Sequence, residues 1–297
     1  MNLIRGGGTR HFALRCSPSS ASASSSAAAA AVPDATESAT VRTSTRGRVS
    51  IDTRDDNIAV VTLNRPDKYN ALDMDMFHDI AETARTLAQQ RELRGVLLQG
   101  SGKAFCAGLD VKAVTSNPLN ATNLLKRPAG SLTNLAQDVA WLWRSIPVPV
   151  VAAIHGICFG GGLQIALGAD FRFATPDCKI SVMEAKWGLV PDMSGSVLLR
   201  ELVRIDVAKE LTMTARVIDG AQAKGYGLVS HVSETAEADA LKLLEEIATR
   251  SPDSVAASKR LFNDTWLAPE ARAFEVETEL QRKLLVPPLK VGSRHAE

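Results

Sequence analysis

Two glycine-centred segments are the first places in this chain where chemistry could be done. They are Ala104-Phe105-Cys106-Ala107-Gly108-Leu109-Asp110 and His155-Gly156-Ile157-Cys158-Phe159-Gly160-Gly161-Gly162-Leu163-Gln164. Each follows an apolar run of strand character. Small residues at a strand-to-helix junction let backbone amides approach a ligand closely, and a helix N-terminus aims those amides at developing negative charge. Two such junctions converging would make an oxyanion hole, whereas either one alone reads equally well as a tight turn. Spacing excludes other chemistries. Gly102-Lys103 is not a nucleotide P-loop, because Leu97 stands at the required first glycine and Ala104 at the Ser/Thr position. No G-x-G-x-x-G follows a strand, and no G-x-S-x-G nucleophile elbow is present. His155 and Cys158 lack a second ligand pair, so His155 reads as a structural histidine at a strand end and no metal is expected.

The elements that must position these segments follow from apolar periodicity. Val49–Thr53 and Ile58–Leu63 are β-branched runs separated by Asp55-Asp56-Asn57, which predicts a hairpin. Asp73 is placed to cap a helix carrying Met76, Phe77, Ile80, Ala84 and Leu87 at helical spacing. Gly95–Gln99 predicts a short strand leading into the first glycine segment. Leu132, Leu135, Val139, Leu142 and Ile146 predict a helix closed by Pro147, and the unbroken run Val148–Ile154 predicts a strand buried on both faces. Phe171–Ala174 and Ile180–Val182 read as further strands. From Gly195 the pattern is helical, with one strand-like interruption near Leu228–Val232. Strands alternating with helices predict an α/β domain followed by a helical C-terminal part.

Composition removes several function classes. Of 297 residues, 45% are hydrophobic and 23% charged, the balance of an ordinary globular chain. Lys plus Arg number 34 against 33 Asp plus Glu, so no net charge draws the chain to nucleic acid or to a membrane surface. No run of 18 apolar residues predicts a membrane span. Cys16, Cys106, Cys158 and Cys178 form no C-x-x-C pair, which argues against a zinc ribbon or a disulfide framework. The charge is unevenly spread. Residues 1–33 hold Arg5, Arg10 and Arg15 with no acid, and residues 17–31 are Ser or Ala apart from Pro18. Arg-rich, Ser-rich and acid-poor is the composition of a transit peptide. Residues 1–45 are therefore expected to be an address and leader for the mitochondrial matrix, with the plastid as the alternative. Residues 46–250 would be the core and 251–297 a helical C-terminal region. Without residues 1–33 the chain has 31 basic against 33 acidic residues.

From about Val49 onward the chain resembles the crotonase (enoyl-CoA hydratase/isomerase) superfamily. The resemblance rests on ordered segments: Leu63-Asn64-Arg65-Pro66 with Asn70-Ala71-Leu72, then Phe105–Asp110, then His155-Gly156 with Gly160-Gly161-Gly162 and Ala169-Asp170. Glu184 with Gly188-Leu189-Val190-Pro191 and the Ala221–Gly227 segment complete it. It implies an α/β fold, a crotonase-like superhelix of ββα turns, with C-terminal helices that assemble homotrimers or hexamers. It also implies an acyl-CoA substrate, with coenzyme A belonging to the substrate and no separate cofactor. The amides of Ala107 and Gly161 would hold the thioester oxygen, and Lys68, Ala71, Leu72 and Ala107–Asp110 (Ala107, Gly108, Leu109, Asp110) with Gly161 would line the CoA site. Fixed donors at that oxygen stabilise an enolate-like transition state more than the substrate.

The resemblance also narrows the reaction. Hydratases of the superfamily use two glutamates; one position is Glu184, but the other, two residues after the triple glycine, is Gln164 here. An amide cannot act as a base, although it can hydrogen-bond water or an acyl group. A lone carboxylate suffices to move a proton from one carbon to another, so double-bond isomerisation is expected ahead of hydration. Met183 and Trp187 are expected to desolvate Glu184 and raise its pKa. Asp192 stands where hydratases commonly have glycine and dienoyl-CoA isomerases an aspartate; it reads either as a second carboxylate or as a cap for a helix starting near Ser194. A non-catalytic CoA- or RNA-binding homologue is the contrasting class. Against it, Arg85, Arg91 and Arg94 are interleaved with Asp75, Asp79, Glu82 and Glu92, which is no basic stripe.

Overall fold

The computed structural model describes residues 42–285, all within one unit. Its strands are β1 (Arg42–Thr43), β2 (Val49–Thr53), β3 (Ile58–Leu63), β4 (Gly95–Gly100), β5 (Val150–Ile154), β6 (Ile157–Phe159), β7 (Phe171–Ala174), β8 (Lys179–Ser181) and β9 (His231–Val232). Seven form one sheet in the order β1-β2-β3-β4-β5-β7-β9, while β6 and β8 pair separately. The β1–β2–β3 edge is antiparallel and the rest of the large sheet is parallel. The predicted hairpin is β2–β3. β1 falls inside the segment assigned to the leader, because Arg42 and Thr43 pair with Ile51 and Ser50. The transit-peptide reading of residues 1–41 and the last residues of the C-terminal region, 286–297, lie outside the described residues.

Helices cover both faces of the sheet. They are α1 (Met74–Leu87), α2 (Val111–Thr115), α3 (Pro118–Leu125), α4 (Leu135–Ser145), α5 (Gly161–Leu167), α6 (Gly195–Leu202), α7 (Ile205–Thr214), α8 (Gly220–Tyr226), α9 (Ala236–Ala248), α10 (Pro252–Thr265) and α11 (Glu270–Leu285). Side chains alternate across a strand, so Val96 and Leu98 of β4 join one core with α1 and α4. Leu97 faces the other way, with Val151, Ala153 and Phe173, against Ala240 and Leu244 of α9. Asp73 caps α1 by accepting the Met76 amide at 2.9 Å. Leu132 does not belong to the α4 stripe. A reciprocal cap between Asn134 and Gln137 starts the helix after it, and Leu132 is 73% exposed.

Lys259 of α10, expected in an oligomer region, is buried within its own chain. Its Nζ meets Asp170 at 2.7 Å and donates to the carbonyls of Val148 at 2.9 Å and Trp143 at 3.2 Å. Burial pulls its ammonium pKa down, and the charge and hydrogen bond of Asp170 oppose that. α10 is thereby bolted to the end of α4 and the approach to β5. Phe262, Trp266, Phe274 and Leu285 of the α10–α11 pair remain exposed.

Candidate active site

The first glycine segment is built by a turn some 35 residues upstream of it. After the 3-10 turn Pro66–Lys68, Tyr69 and Asn70 are both left-handed, at φ 51° and 56°. Asn tolerates that region because its short polar side chain bonds locally. Buried Asn70 accepts the Arg65 amide at 2.8 Å and donates to the carbonyls of Ser101 and Ala104, both at 2.9 Å, and of Phe105 at 3.2 Å. The Cys106 thiol donates to the Asn70 carbonyl at 3.0 Å. Leu72 then pairs alongside Leu109, its amide bonding Gly108 O at 2.8 Å while the Asp110 amide returns to Leu72 O at 3.0 Å. Gly108 has φ 87°, and a Cβ there would lie 2.8 Å from the Phe159 carbonyl. Only glycine meets both conditions.

Asp110 and Lys68, both expected to line a CoA site, differ in how far the fold engages them. The Asp110 carboxylate pairs with Arg65 at 2.8 Å and caps α2 through the Ala113 amide at 3.1 Å. The Arg65 guanidinium and the Ala113 amide outweigh desolvation and hold that carboxyl below its ordinary value. Asp110 is therefore a clamp between the turn and α2. Lys68 is exposed beside it, and Ala71 is half-buried.

The second segment meets the first through β6, a strand that the sequence pattern does not predict. The Cys106 amide donates to Ile157 O and the Phe159 amide to Cys106 O, both at 3.0 Å. Gly162 lies so close to Cys106 that a Cβ would sit 2.7 Å from the Cys106 Cβ. At Gly161 a Cβ would meet Met193 Sδ at 2.6 Å and Leu72 Cδ1 at 2.9 Å. The two segments thus converge, but not with the amides expected. Ala107 N donates to Tyr69 O at 2.9 Å, so that donor is engaged in the fold. Among the described residues, the amides of Leu109 and Gly161 have no acceptor, and Gly108 between the loops packs against Gly161 N. Which amide of Ala107–Leu109 is free depends on a partner from the distant 69–70 turn, a relation invisible in local sequence.

Glu184 opens the 3-10 turn Glu184–Trp187 and is 8% exposed. Its Oε1 accepts from Gln164 Nε2 at 2.5 Å, and its Oε2 is buried without a partner. Gly160 packs on it, with a Cβ there placed 3.3 Å from Oε1. Burial raises the Glu184 pKa, Gln164's hydrogen bond opposes the rise, and the charge of Asp192 adds to it. Trp187, expected to help desolvate Glu184, is itself 64% exposed. Lys186 makes no ion pair with Glu184 among the described residues. Gln164 is buried on α5 and its Oε1 accepts the amides of Met193 and Gly195, both at 2.9 Å.

Asp192 is not the cap of α6. Ser194 occupies that position in a left-handed conformation, φ 67°, and its hydroxyl donates instead to the Gln137 carbonyl at 3.2 Å. Asp192 sits at the surface near Glu184, its carboxyl raised by partial desolvation. Cys106 and Cys158 are unsuited to nucleophilic work, because complete burial raises both thiols, Cys106 to about 12. His155 Nε2 bonds the Gly102 carbonyl at 3.1 Å, consistent with a structural role.

The family profile described as enoyl-CoA hydratase/isomerase matches residues 53–287. An enoyl-CoA hydratase of Mycobacterium tuberculosis is 32% identical over 229 residues, covering 76% of this chain and 85% of that protein. A peroxisomal Delta(3,5)-Delta(2,4)-dienoyl-CoA isomerase of Arabidopsis thaliana is 31% identical, covering 69% and 77%. Among solved structures, an enoyl-CoA hydratase of Mycobacterium smegmatis superposes with a TM-score of 0.72 at 28% identity, covering 81% of this chain and 92% of that one.

Proposed function

Because the chain belongs to the enoyl-CoA hydratase/isomerase family, we propose that it is an acyl-CoA enzyme that shifts a carbon–carbon double bond. One observation carries this: at the meeting point of the glycine segments a single buried carboxylate, Glu184, has one oxygen held and the other unpartnered. The Leu109 and Gly161 amides receive the thioester oxygen, with Ala71, Leu72, Gly108 and exposed Lys68 around the CoA moiety. Glu184 Oε2 takes a proton from one carbon as the electron pair moves onto that oxygen, then returns the proton to another carbon. No net proton or redox partner is required. General-base help of this kind supplies about 10²–10⁴-fold. Hydratases of the superfamily use a glutamate at the position of Gln164 to handle water, and Gln164 does not ionise.

A second activity, dienoyl-CoA isomerisation, is favoured by Asp192, whose charge acts on Glu184. It would supply a second proton carrier along a conjugated substrate. The exposed aromatic and aliphatic residues of α10 and α11 support assembly into trimers or hexamers, and the basic leader supports a mitochondrial address. The test is turnover of 3-enoyl-, 2-enoyl- and 3,5-dienoyl-CoA by the wild type and Glu184→Gln. Isomerisation of the 3-enoyl substrate that collapses in the variant is expected. Efficient hydration of the 2-enoyl substrate would sink the isomerase assignment, and full activity of Glu184→Gln would sink the role of Glu184.

A further inference from the structure

We propose that Gln164 is a positioning residue that decides which oxygen of Glu184 acts as the base. Three hydrogen bonds run in one direction: the Met193 and Gly195 amides donate to Gln164 Oε1, and Gln164 Nε2 donates to Glu184 Oε1. The direction has no alternative. Exchanging O and N would set the NH2 against two N–H donors and the carbonyl against a carboxylate. The cradle is a feature of the backbone. Ser194, between the two donors, is left-handed, and a Cβ at Gly195 would come 2.5 Å from Gln164 Oε1. Gln164 is 2% exposed, so bulk water does not compete for these bonds.

Glu184 Oε1 is thereby engaged, and Oε2 is the oxygen left to exchange protons. This rests on the acyl-CoA reading only for what the proton is taken from: a C–H bond breaks, an Oε2–H bond forms, and the reverse step delivers the proton to the second carbon. The groups packed on the Glu184 carboxylate are neutral Gln164 and Gly160, with Asp192 as the nearby charge; among the described residues no cation pairs with it. A neutral donor at 164 lets Glu184 ionise without sharing its proton. A carboxylate at 164 would be held ionised by the same two amides, and the adjacent pair would then carry one proton between them.

The test is a carboxyl titration by NMR on protein labelled with 13C at the glutamate side-chain carboxyl, the Glu184 signal being assigned by its loss in Glu184→Gln. In Gln164→Leu the Glu184 midpoint should rise by about one pH unit, the scale of one lost hydrogen bond to a charged group. In Gln164→Glu it should rise further, while the Met193 and Gly195 amide protons keep their hydrogen-bonded shifts. An unchanged midpoint in Gln164→Leu overturns the proposal. If that variant does not fold, an unchanged midpoint in the near-isosteric Gln164→Glu overturns it. No substrate is needed, so failure of the acyl-CoA assignment and failure of this role are separable.

Discussion

The Ala107 amide donates to the Tyr69 carbonyl at 2.9 Å, across the joint between the left-handed turn at 69–70 and the first glycine loop. That bond removes Ala107 from the candidate anion-binding donors and leaves Leu109 with Gly161. A 1H–15N titration with a saturated acyl-CoA should move the Leu109 and Gly161 amides strongly and Ala107 little. A dominant shift at Ala107 would return the donor role to it.

A side chain at Gly161 would have to displace Met193 and Leu72, since a Cβ there comes within 2.6 Å of Met193 Sδ and 2.9 Å of Leu72 Cδ1. Gly161→Ala should cost roughly 1–3 kcal/mol of stability through overpacking. It should lower kcat by about 10²-fold or more, because displacing one preorganised donor has that scale. Urea unfolding and steady-state kinetics on the same preparation separate the two effects.

Asn70 is the hub of the upstream turn, with its side chain engaged by four backbone groups. Asn70→Ala leaves buried carbonyls and an amide without partners and puts Ala in the left-handed region. A loss of about 3 kcal/mol is expected on the scale of unsatisfied buried groups. A urea midpoint equal to wild type would show that the turn is held by other bonds.

As the proposed base, Glu184 would trade stability for reactivity. Burial raises its pKa, so the folded chain binds that proton more tightly than the unfolded chain does. Its contribution to stability is therefore full below the unfolded pKa and is lost as pH rises through the folded one. Glu184→Gln should be more stable than wild type at neutral pH, with the difference shrinking in acid, while kcat falls about 10²–10⁴-fold. The acid limb of the wild-type kcat/KM profile should lie above the range of an ordinary glutamate. A limb at the ordinary position would contradict the burial described for this carboxylate.

Much of the architecture was legible in the one-dimensional pattern, because each feature depends on near neighbours in sequence. β-branched runs around Asp55–Asn57 specify the β2–β3 hairpin, Asp73 specifies the start of α1, and the apolar run to Ile154 specifies a strand covered on both faces. The glycine segments were likewise identifiable as candidate site segments by type and spacing, whereas Gln164 and Glu184 stood out only through the family resemblance. β6 was not identifiable, since three residues lack a period to detect and its pairing with β8 comes from a later segment.

Tertiary structure alone decided how those residues are used. A backbone amide is free only if no distant carbonyl claims it, so Tyr69 determines that Leu109 rather than Ala107 keeps an unpartnered donor. Trp187 is exposed because the turn opened by Glu184 presents it outward, while Glu184 itself is buried, with Gly160 packed against its carboxylate. Gln164 is oriented by two amides some 30 residues downstream. Hydrogen bonds are directional and each donor has few acceptors, so their allocation is a property of the folded whole.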